Sequence, residues 1–160
     1  MGLTALSSVL WRMRELLELL LFKLEEEQLL LATGRARWLA HATREVEIVL
    51  EQIRQVEIVR AAEAQVVALD LGLAPAASLG ELAEAAPTPW SELLRQHRQA
   101  FITLTAEINS LADANRELLT SGLRAARETV LSVVGAADTY GARGKTVPGN
   151  RRAHLVDEAI

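Results

Sequence analysis

From Leu3 the apolar residues recur at Leu6, Leu10, Met13, Leu17, Leu20, Leu24 and Leu31, in alternating steps of three and four broken only where Glu27 takes the seam position. That spacing predicts an amphipathic helix over about 3–33. Val9, Leu16, Leu21 and Leu30 widen the stripe, so the helix is expected to face more than one partner. Gly34, within Thr33-Gly34-Arg35, marks a left-handed C-cap and turn. A second helix is predicted over about 37–70, with a seam of Leu39, Ala42, Val46, Val49, Ile53 and Val56. After one extra step of three the seam continues through Val59, Ala62, Val66, Leu69 and Leu73, a slip that locally overwinds a coiled coil. At about 1.5 Å per residue this helix would be about 50 Å long, which suits an elongated antiparallel hairpin with the first.

Between Gly72 and Pro89 the chain turns to Gly, Pro and Ala. Ser78 followed by Glu81 is a capping-box pattern for a short helix over about 79–85. Thr88 then reads as the N-cap of a third long helix, with Pro89 at its first position and an end near Val134. Phe101, Leu104, Ile108, Leu111, Asn115 and Leu118 hold its heptad, after which the stripe moves onto Leu119, Leu123, Ala126, Val130 and Val133. From Gly135 the periodicity disappears. The expected architecture is all-α: an elongated antiparallel bundle of three long helices with a short connector helix over 1–136, and a flexible C-terminal tail over 137–160.

The composition agrees with long helices. Only 4% of the 160 residues are aromatic, and 50% are hydrophobic. A formal charge of -4 argues against a nucleic-acid partner, which calls for a basic face. The longest stretch without a charged residue, Leu71 to Gly80, is far short of the roughly 20 apolar residues of a membrane span. The leucine-rich start carries Arg12, Arg14, Glu15 and Glu18, which no signal-peptide core would. A soluble, cytoplasmic chain is expected, and the absence of cysteine removes disulfides and thiol chemistry.

No catalytic, cofactor or metal site is expected. Gly144-Lys145-Thr146 resembles the end of a phosphate loop, but Thr139 stands where that motif needs glycine, and Pro148 follows where it needs a helix. His41, His97 and His154 are too far apart for a local metal motif. His41 with Glu45 is an i,i+4 surface pair, and His97 lies on the third seam as a candidate hydrogen-bonded core residue. Glu25-Glu26-Glu27 reads as a solvated face that intrudes once on the seam, and Trp11, Trp38 and Trp90 read as packing residues. Asn115 differs: a lone amide in an apolar seam costs stability and sets register. Tyr140, the only tyrosine, follows a long helix in a Gly-rich stretch. It either docks on a partner or folds back over the helix end, and the residues alone leave both open.

Leu111-Ala112-Asp113-Ala114-Asn115-Arg116-Glu117-Leu118-Leu119, followed by Thr139-Tyr140-Gly141-Ala142-Arg143-Gly144, resembles the FlgN family of bacterial flagellar export chaperones. The leucine-rich first helix with its Glu-rich end adds to the likeness. The resemblance implies a non-enzymatic cytoplasmic protein that binds the hook–filament junction proteins FlgK and FlgL and docks on the cytoplasmic domain of the export-gate protein FlhA. By position it implies client binding at Leu118, Leu119, Leu123, Val130 and Val133, and gate docking at Tyr140 and Gly141. The rival expectation is a structural coiled coil that oligomerises through the same stripe without any secretion client.

Overall fold

The computed structural model describes residues 2–139, and the chain divides into two units, 1–116 and 117–160. Four helices appear, with no strand among the described residues: α1 (Gly2–Ala32), α2 (Ala36–Asp70), α3 (Leu79–Ala85) and α4 (Trp90–Thr139). The fold is all-helical.

Two helix ends share one device. At the end of α1 the Gly34 N–H donates to the Leu31 carbonyl and the Arg35 N–H to the Leu30 carbonyl, while Gly34 adopts φ 69°. At the end of α2 the Gly72 N–H reaches Leu69, the Leu73 N–H reaches Ala68, and Gly72 adopts φ 73°. Both are Schellman caps, in which a left-handed residue lets the chain satisfy the last free carbonyls, and glycine enters that region without a Cβ penalty. Leu73 is then carried back onto the core.

In the first unit the contacts fix the helix directions. Gly2 lies against Val67 and Asp70, while Lys23 Nζ pairs with Glu45 at 3.0 Å, so α1 and α2 run in opposite directions. Trp11 meets His97 and Leu24 meets Asn115, so this part of α4 runs with α1. One core cluster joins Leu6 and Leu10 of α1, Ala64, Val67 and Ala68 of α2, Leu82 and Ala83 of α3, and Leu94 of α4. A second joins Leu20, Leu24, Val46, Val49 and Ile108. Burying each such leucine contributes on the order of 1.5–3 kcal/mol.

The capping box of α3 is present as expected. Ser78 Oγ accepts from the Glu81 N–H at 3.2 Å, and Glu81 Oε2 accepts from the Ser78 N–H at 2.6 Å. That carboxylate is held below its ordinary range, first by the bond from the Ser78 N–H and second by the Ser78 side chain.

The structure departs from the sequence expectation in three places. The outer half of the α2 seam is not Val59, Ala62, Val66 and Leu69, which are exposed; Ala64, Val67 and Ala68 face inward instead. The seam therefore takes an extra step of four rather than three after Val56, through Arg60 to Ala64. Small alanines win that face because α3 and Leu94 must fit over it. The third long helix starts at Trp90 and not at Pro89, so Thr88 is not its N-cap. Finally, α4 passes its expected end near Val134 and runs through Gly135 to Thr139. A single interior glycine costs about 1 kcal/mol relative to Ala, too little to stop a long helix.

Candidate functional site

The inward stripe of α4 is Leu94, His97, Phe101, Leu104, Ile108, Leu111 and Asn115, of which Leu94, His97, Ile108 and Asn115 are buried. Its last shielded position, Asn115, is polar. The Asn115 amide nitrogen donates to the Leu24 carbonyl at 2.9 Å and to Glu27 Oε1 at 3.2 Å. Glu27 Oε2 accepts from Thr43 Oγ1 at 3.0 Å. Glu27, at 6% exposure, is thus a core residue, and only its neighbours in the Glu25-Glu26-Glu27 run face outward. Its seam position in α1 carries it inward although it ends an acidic run.

The second unit is described over 117–139, all of it helix. Leu118, Leu123, Val130 and Val133 are exposed by 38%, 51%, 38% and 64%, while Leu119 is half-buried. Leu131, which lies off the expected stripe, is also exposed. This unit therefore presents apolar side chains to solvent along its helix. Contiguous apolar surface of a few hundred Å2 is the usual mark of a partner site. Tyr140 and Gly141 lie outside the described residues.

The remaining candidate chemistry resolves into packing. His97 is fully buried, but neither ring nitrogen has a hydrogen-bond partner among the described residues, contrary to the expected hydrogen-bonded core histidine. It sits instead between rings, edge-on to Trp11 and stacked near Phe101. Burial, with the Arg14 guanidinium second, holds the imidazole below its ordinary value. Glu45 pairs with Lys23 rather than with His41, whose ring tilts against Trp38. The bond that Lys23 donates to Glu45 is the main cause that raises its ammonium above its usual range. Trp90 packs on the first core cluster, whereas Trp11 and Trp38 are half-exposed under the Arg14 and Arg37 guanidiniums.

Among the described residues no group of three or more His, Asp or Glu side chains is placed to hold a metal ion. No helix there is long and apolar enough to cross a membrane. A cleft of about 240 Å3 opens between the start of α1 and the end of α2, lined by Gly2, Leu3, Thr4, Val67, Asp70, Leu71 and Trp90. Its one ionisable side chain, Asp70, stands beside the first turn of α1, which has no acid of its own. A carboxylate there complements the helix dipole.

A family model described as FlgN protein matches residues 1–148. The chain belongs to the FlgN family. No curated protein and no solved structure matches it. FlgN proteins are flagellar chaperones.

Proposed function

We propose that this FlgN-family protein is a cytoplasmic, non-enzymatic export chaperone that holds hook–filament junction proteins of the FlgK and FlgL type along the exposed face of α4. The observation that carries this reading is the stripe of Leu118, Leu123, Val130 and Val133, with Leu119 at its edge, on a regular helix in contact with water. An amphipathic client helix laid along it would bury side chains at i, i+3, i+4 and i+7 spacing, the usual helix-in-groove mode. In the first unit α1, α2 and the start of α4 pack together as the supporting body. The segment after it presents Tyr140 and Gly141 to the cytoplasmic domain of FlhA, a role that rests on the family resemblance.

Titration calorimetry with a purified FlgK-type client tests the reading. Leu123→Asp with Val130→Asp is expected to abolish client binding, while Tyr140→Ala retains the client and loses the gate domain. A second reading, a structural coiled coil that self-assembles without a client, draws on the outer face of α2, where Ile58, Val59, Val66 and Leu69 are exposed. Stable self-association, with no client heat in the wild type, would favour it.

A further inference from the structure

We infer that Glu27, Thr43 and Asn115 form a register clasp, a buried hydrogen-bonded layer that admits one axial position of α4 against the α1–α2 hairpin. Asn115 donates to the Leu24 carbonyl and to one oxygen of Glu27, and the other oxygen of Glu27 accepts from Thr43. A single carboxylate on α1 therefore engages both other long helices. Glu27 and Asn115 are 6% and 2% exposed, so neither can turn to bulk water for a replacement partner. A buried carboxylate that loses its donors is strongly unfavourable, which makes the layer acceptable only while the amide and the hydroxyl both face it.

The neighbouring layers of α4 offer no substitute. Sliding the helix by one turn brings Leu111 or Leu119 opposite Glu27, and sliding by two turns brings Ile108 or Gly122. None of these carries a side-chain donor, and in each case Asn115 also leaves both of its acceptors. The apolar layer next to the clasp discriminates poorly, because Leu, Ile and Val exchange places in a core at modest cost. The penalty for slippage resides in the polar layer, the best-attested use of a lone amide in an apolar seam. Here the carboxylate extends it from two helices to three. The clasp thereby fixes the residue after which the apolar stripe of α4 becomes exposed, whether or not that stripe carries a client.

The chain has no cysteine, so Ser8→Cys and Ser110→Cys, at exposed positions of α1 and α4, provide a unique nitroxide pair. Double electron–electron resonance is expected to give one narrow distance in this background, and the same distance with Glu27→Gln, which keeps an acceptor for Asn115. With Glu27→Leu and Asn115→Leu together, the protein stays helical by circular dichroism and the distribution splits, with added populations displaced by one or two turns of about 5 Å each. A single unshifted distance in that double variant would overturn the inference. So would loss of its helical signal, because the layer would then supply stability and not register.

Discussion

Trp11 stands edge-on to His97, with ring centroids 4.6 Å apart and planes at 78°. The contact ties α1 to α4 and takes the place of the hydrogen bonds that a buried imidazole ordinarily makes. Edge-to-face pairs of this kind are worth roughly 0.5–1.5 kcal/mol beyond the area they bury. Both ring nitrogens are buried without a hydrogen-bond partner, and the charge that acts on the ring, Arg14, is a cation. The folded protein therefore holds the neutral ring.

This gives stability a definite pH dependence. Unfolded, His97 titrates near its ordinary value of 6.5, whereas folding lowers that value. Below about 6.5 the unfolded chain takes up a proton that the folded state refuses, so the stability present above that pH declines as pH falls. The decline due to one group is no steeper than about 1.4 kcal/mol per pH unit. Urea titrations between about pH 7.5 and 5.5 are expected to show it in the wild type and to lose it in His97→Leu. Parallel curves for the two proteins would refute it.

Two glycines respond to alanine in opposite directions. Gly34 holds φ 69° with no atom near its missing Cβ, so Gly34→Ala is expected to cost about 1–2 kcal/mol through the backbone alone. Gly122 lies in the middle of α4, also with open space around it and without a left-handed φ. Gly122→Ala is expected to favour the helix by about 0.5–1 kcal/mol, read as slower amide exchange around residue 122.

The connector helix contributes to the core far beyond its length. Leu82 is 1% exposed and belongs to the first core cluster, so Leu82→Ala is expected to cost about 2–5 kcal/mol in chemical denaturation. Ser78→Ala removes one half of the capping box and is expected to cost about 1 kcal/mol. A Ser78→Ala effect as large as that of Leu82→Ala would mean that the cap, and not the buried leucine, holds α3 in place.

The chaperone reading also has a kinetic signature. Amide exchange over residues 118–134 is expected to slow when a FlgK-type client is added, while protection at Leu6, Leu10 and Leu94 stays unchanged. Slowing confined to the first unit would place the client elsewhere.

Much of this architecture was legible in the sequence because it depends on local rules. The α1 seam, the capping box at Ser78 and the left-handed turn at Gly34 follow from helical spacing, a side-chain-to-backbone bond and the missing Cβ of glycine. The polarity of Asn115 within an apolar seam likewise marked a special position. Periodicity could not choose between the two apolar stripes of α2. Val59, Val66 and Leu69 satisfy helical spacing as well as Ala64, Val67 and Ala68, and only the approach of α3 and Leu94 decides that the small side chains turn inward. The partners of Asn115 were equally out of reach, since Leu24 and Glu27 lie 91 and 88 positions away along the chain. Tertiary packing alone could turn a glutamate from an acidic run into the acceptor that joins three helices, because a carboxylate can be buried only where the fold delivers its donors.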